Sequence, residues 1–227
     1  MSHLKTLDIA MMGVCAALYA VVGRLTDLGI VAPVVGVVAF WPAAVIPAIF
    51  AVLFGPWTGG IGAGIGIFIR DMMFHGNALL SLSAGVTANF ACFYLMGYIS
   101  RRKLNWKKIA VGLGLSGLTI GLGISLSTVF FPSDSSTYFT GLSPVNSAIL
   151  FSGTVVGSCI LIVAIAYRWP EWRNYGVASV IGLGVGSAII GIMVWLNFQF
   201  LFLQTPTGDL FHAPAYFSLL WFVWTFA

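Results

Sequence analysis

The sequence predicts an all-α, polytopic membrane protein, and three observations carry that expectation. Of its 227 residues, 59% are hydrophobic and only 7% charged, against roughly 25% charged in soluble domains. The mean hydropathy of +1.02 is spread over the whole length instead of being concentrated in one N-terminal leader. The apolar residues fall into continuous runs bounded by charges, prolines or polar clusters, most of them near the roughly 20 residues that a helix needs to cross the hydrocarbon core. Ten Lys and Arg with six Asp and Glu make sixteen charges, too few to cover a 24.2 kDa globule in water. The bilayer is therefore the solvent, and the length leaves no room for a separate catalytic or ATP-binding domain.

Seven crossings are expected, at about 8–29, 34–54, 58–75, 78–99, 109–131, 144–167 and 176–203. The first is Ala-rich and ends in Arg24 and Asp27. The second runs into Phe54-Gly55-Pro56, where Gly accepts unusual dihedrals and Pro starts the next helix without losing a needed donor. The third carries Gly59, Gly60, Gly62, Gly64 and Gly66. Small residues four apart, such as Gly60/Gly64, Gly62/Gly66, Gly153/Gly157 and Gly182/Gly186, share a helix face and let another backbone approach. The last thirteen residues, 215–227, would reach only about 20 Å as a helix. They form a re-entrant or interfacial segment, or the start of a longer one.

Loop charge sets the orientation. The stretch 101-RRKLNWKK-108 has five basic residues and no acid, which assigns it to the cytoplasm, and counting crossings brings Lys5 and 168-RWPEWRNY-175 to the same side. Eight of the ten basic residues then lie inside. The loops left outside, 132–143 and 204–214, contain acids and no Lys or Arg. The expected protein is thus a multi-pass cell-membrane protein with a cytoplasmic N-terminus.

Several function classes fall away. The formal charge of +4 is distributed over short loops and makes no continuous basic face, so nucleic acid is not an expected partner. Cys15, Cys92 and Cys159 sit singly in apolar runs, and no residues have metal-ligand spacing. Neither HExxH, GxSxG nor a Walker A sequence occurs, so no enzyme and no cofactor are expected.

Charges within the bilayer are costly and are functional candidates by default. Arg24 and Asp27 on the first crossing, and Arg70 and Asp71 on the third, come out near the same outer level under this topology. Trp41, Asn77, Tyr138 and Asn146 can surround the same space. Mixed charge with aromatic faces suits a polar, ring-containing solute. The competing interpretation is that both arginines snorkel to headgroups. The inner half is nearly uncharged, with Asn89 the chief exception, which suggests a binding subunit. A self-sufficient secondary carrier or channel is the alternative, and it would need a polar path and an internal repeat.

The stretch 42-PAAVIPAIFAVLFGPWTGGIGAGIGIFIRDMMFHGN-77, preceded by 10-AMMGVCAALYAVVG-23, resembles the substrate-binding membrane subunits (S components) of energy-coupling factor transporters. The matching features are Ala16-x-x-x-Ala20, Phe54-Gly55-Pro56 and the glycines from Gly59 to Gly66. The resemblance implies six helices with both ends in the cytoplasm and a site for a small, vitamin-like solute near the extracellular side. It also implies docking through the first helix onto a transmembrane coupling subunit driven by two ATPases. On that helix Gly13, Ala16, Ala17 and Ala20 are the expected docking surface, because a smooth face allows close approach. Residues 1–175 would form the six-helix solute-binding domain. Residues 176–227 would add one further crossing and a partial eighth segment packed on it.

Overall fold

A computed structural model of the protein describes residues 6–26, 28–32, 36–102, 104–107 and 144–200, with scattered positions between 109 and 117 and between 218 and 226. Among the described residues the protein is a bundle of six helices with one two-stranded antiparallel hairpin. The elements are α1 (Thr6–Leu25), β1 (Leu28–Ala32), β2 (Gly36–Phe40), α2 (Val45–Phe54), α3 (Pro56–Phe74), α4 (Ala78–Ile99), α5 (Pro144–Arg168) and α6 (Arg173–Phe200). α1, α4 and the stretch Pro170–Asn197 are each long and apolar enough to cross a membrane.

The expected second crossing, 34–54, requires correction. Only its latter part is helical: a 3₁₀ turn, Pro42–Ala44, leads into α2, whose ten residues span about 15 Å. The preceding residues pair as strands, Leu28 opposite Phe40 through Ala32 opposite Gly36. Val31, Val34, Val35, Val37 and Val38 with Pro33 and two glycines explain this, since β-branched residues favour extended backbone and Pro and Gly interrupt helices. The expected crossing at 109–131, the outer loops at 132–143 and 204–214, and most of the run at 215–227 lie outside the described residues.

α3 is the centre of the bundle, and its glycines explain why. A Cβ on Gly62 would come within 2.7 Å of Cys15, and one on Gly66 within 2.8 Å of the Ala16 carbonyl, both on α1. Gly60 and Gly64 turn toward Phe90 and Val86 of α4, while Gly59 lies against Ala51 of α2. Three helices thus press on one helix stripped of side chains, which maximises dispersion contact where lipid offers no hydrophobic drive between helices. Gly182 and Gly186 of α6 pack in the same way on α4. Among the described residues, a Cβ on Gly153 or Gly157 of α5 would meet nothing within 4 Å.

One end of the bundle gathers the basic residues. Gly55, at φ +122°, makes the sharp turn between α2 and α3. Arg101 donates to the carbonyls of Val52 at 3.0 Å and Leu53 at 3.5 Å, which α2 leaves without helical partners. Asn174 donates to the Arg102 carbonyl at 2.6 Å, and Arg173 lies over Trp106. The opposite end holds Trp41, Arg70 and Asp71.

Candidate functional site

Arg70 and Asp71 end the apolar part of α3 and are 8% and 6% exposed. Arg70 Nη1 lies 3.1 Å from Asp71 Oδ1. Its guanidinium also lies 4.4 Å from the Trp41 ring centre and 4.5 Å from that of Phe74, so the cation is held by a carboxylate and by two π faces. The second carboxylate oxygen, Oδ2, accepts from Ser81 Oγ at 2.7 Å. His75 Nε2 stands 3.8 Å from Oδ1.

Ser81 begins a π-helical segment, Ser81–Val86, inside α4. Such widened turns recur at functional sites because they re-aim side chains. Here the segment brings Gly85 so close to Asp71 that a Cβ there would lie 2.7 Å from Oδ2. The next turn presents Asn89, whose Nδ2 donates to the Gly85 carbonyl at 2.9 Å. Asn89 Oδ1 accepts from the Tyr19 hydroxyl at 2.6 Å, and that hydroxyl accepts from Trp41 Nε1 at 2.8 Å. A polar chain therefore joins the hairpin exit, α1 and α4 across apolar surroundings. Buried polar groups of this kind are costly unless paired, so the chain fixes the geometry of its members. Tyr19 also meets Trp41 and Phe93 edge-to-face, with centroids 6.0 and 6.1 Å apart. Gly23 makes room for the Trp41 indole.

Several of these groups line a mainly apolar cavity of about 310 Å³. Its wall includes Tyr19, Trp41, Arg70, Asp71, Asn89 and Phe93, and α6 closes another side with Ser187 and Val194. A few convergent polar groups in an otherwise apolar concavity suit a ring-bearing solute with polar edges.

Of the residues expected from sequence, Trp41, Arg70 and Asp71 meet at the cavity. Arg24 is exposed at the end of α1, and Asn146 is exposed near the start of α5. The Asn77 side chain accepts from the Leu80 amide at 3.0 Å and caps α4. Asp27 and Tyr138 lie outside the described residues. The expected docking set divides. Ala16 and Ala20 are each 3% exposed, on the inward side of α1 against α3, which corrects their placement on an outward surface. Gly13 and Ala17 are exposed.

Tyr19, Ser81, Gly85 and Ser187 were not singled out as binding residues from sequence. The only sequence signal for Tyr19 is a hydroxyl-bearing aromatic, set between Leu18 and Ala20, within an apolar helix.

A family model described as ECF-type riboflavin transporter, S component, matches residues 3–167. The chain belongs to this family of energy-coupling factor S components. It is also 30% identical over 179 residues to a UPF0397 protein of Vibrio atlanticus (strain LGP32), an alignment spanning 75% of this chain and 95% of that protein. No solved structure matches. As an S component the chain is a membrane transport subunit, not an enzyme, and it binds a vitamin-type solute for delivery to an energy-coupling factor import complex. The family match ends at residue 167, before α6 begins at Arg173.

Proposed function

We propose that this S component captures riboflavin or a close flavin relative in the cavity bounded by Trp41, Arg70, Asp71, Tyr19 and Asn89. The family match over residues 3–167 carries the reading. The cavity supports it with aromatic faces for a fused ring and with charged and amide groups for ring heteroatoms and hydroxyls. Solute enters from the extracellular side, because the basic end with Arg101, Arg102 and Arg173 belongs in the cytoplasm. The N-terminus is then cytoplasmic. α6 adds one crossing beyond the six-helix plan.

The loaded subunit docks on a transmembrane coupling subunit served by two ATPases, which supply the energy, in keeping with a sequence that carries no Walker A motif. The exposed face of α1 with Gly13 and Ala17 is the docking surface in this reading. A Leu at position 17 adds bulk without disturbing the inward face. Ala17→Leu is expected to leave riboflavin affinity unchanged and to lower co-purification with the coupling subunit and ATP-dependent uptake. Intact assembly and uptake would move docking elsewhere.

Calorimetric titration of the purified chain with riboflavin tests the binding reading directly. Saturable binding that Asp71→Asn weakens is expected, and absence of riboflavin binding overturns it. Orientation is tested with single cysteines at Asn105 and Ser135, which should react from opposite faces of a sealed membrane, Ser135 from outside. Reconstitution of the chain alone separates it from a carrier. A binding subunit needs its ATPase partners for sustained uptake, whereas a carrier exchanges solute unaided.

A further inference from the structure

Residues beyond the family-matched segment contribute one side of the cavity. Ser187, Ile190 and Val194 of α6 line it together with Trp221 and Thr225, whereas the family match stops at 167. Positions 187, 190 and 194 are three and four apart and so share one helix face. Trp221 and Thr225 are likewise four apart.

Two glycine seams hold this wall at close range. On one side, a Cβ at Gly182 would lie 2.7 Å from the Cys92 carbonyl, and one at Gly186 would lie 3.0 Å from Cys92 Cβ, which presses α6 onto α4. On the other, a Cβ at Gly191 would lie 2.5 Å from the Ser218 carbonyl and 2.9 Å from the Phe222 amide. That second seam seats Trp221 and Thr225 beside α6. A polar clamp fixes the outer end: Asn197, 3% exposed, donates to Ser83 Oγ at 2.9 Å and to the Met193 carbonyl at 2.7 Å. Ser83 belongs to the same π-helical segment that carries Gly85, so α6 is tied to the part of α4 that meets Asp71.

The two walls differ in chemistry. The matched region supplies both charges, the Tyr19–Asn89 pair and the Trp41 indole, while the added region supplies aliphatic surface, two hydroxyls and the Trp221 indole. We propose that α6 and the segment bearing Trp221 and Thr225 form a specificity wall of the solute site, with Ser187 and Trp221 selecting the substituent carried by the bound ring system. The proposal rests on the reading of this cavity as the solute site.

The test uses the full chain in detergent, with riboflavin and lumiflavin, which lacks the ribityl chain, as probes. Ser187→Leu fills the cavity, Trp221→Ala empties part of its wall, and Thr225→Val removes a hydroxyl at nearly constant volume. The expected result is a loss of riboflavin affinity of at least about tenfold for Ser187→Leu and Trp221→Ala. The ratio of riboflavin to lumiflavin affinity should also change in at least one of the three variants, which general destabilisation would not produce. Ile192→Ala, on an exposed part of α6, should bind both flavins as the wild type does. If Asp71→Asn weakens binding while the three wall variants match wild type on both flavins, the proposal is overturned and the site reading stands. If the wild type binds neither flavin, the riboflavin reading falls. The wall is then judged by mass spectrometry of the solutes that co-purify. An altered set in Ser187→Leu and Trp221→Ala supports it, and an unchanged set overturns it.

Discussion

Arginines occupy both ends of the bundle, and their surroundings are opposite. Arg101 is exposed and donates to the carbonyls that end α2, next to a glycine turn that any guanidinium-length donor could brace. Arg102 lies over the Tyr98 ring, and its guanidinium donates to the Tyr98 hydroxyl. Arg70, by contrast, is buried between Asp71 and two aromatic rings beside a cavity. Water and headgroups can solvate the first arginines, so their contacts are replaceable. Arg70 depends on its protein partners, because a buried charge without compensation costs several kcal/mol. The location of a charge, more than its identity, separates a cation at the membrane surface from one held inside the bundle.

Removing one member of the buried pair should break this contrast most severely. Arg70→Ala or Asp71→Ala leaves the other charge buried, and each is expected to cost about 3–5 kcal/mol of stability. The double variant should cost less than the sum of the single ones, as read from unfolding midpoints in one detergent. Strict additivity would show that the two charges are solvated separately and would return Arg70 to the class of Arg101.

A smaller effect is expected at the polar chain. Tyr19→Phe keeps the ring contacts with Trp41 and Phe93 but leaves Asn89 Oδ1 and Trp41 Nε1 without the hydroxyl that joins them. About 1–3 kcal/mol of stability should be lost, with weaker riboflavin binding and unchanged helicity by circular dichroism. If affinity and stability both stay at wild-type values, the chain does not organise the cavity.

The smallest effect belongs to the exposed end. Arg101→Gln should change stability by less than about 1 kcal/mol and leave riboflavin affinity within error. A large loss of affinity there would mean that the basic end communicates with the cavity and would remove the contrast between the two ends.

Much of this organisation is legible in the residues themselves. The lengths and composition of the apolar runs anticipate α1, α3, α4, α5 and α6, because helix is the cheapest way to pair backbone groups in lipid. Composition also misled at 34–54, where apolar character suggested a crossing although Val, Pro and Gly favour the observed hairpin. Family membership was readable from the glycines of α3 and the Phe54-Gly55-Pro56 turn, both local features. The small residues of α1 announced close packing, which the sequence reading assigned to a partner subunit for all four. Ala16 and Ala20 turned out to face α3, while Gly13 and Ala17 face outward.

The sequence by itself determined the solvent, the helical class and the charge asymmetry between the two ends, and it offered Arg70 and Asp71 only alongside Arg24 and Asp27. Each follows from residue type and spacing along one segment. Only the tertiary structure decided that Tyr19 would meet Asn89 across 70 positions, that Gly85 would admit the Asp71 carboxylate, and that α6 would wall the same cavity. These depend on how helices rotate about their axes and how deeply they pack, and those choices arise from many small contacts acting together, with no motif to record them.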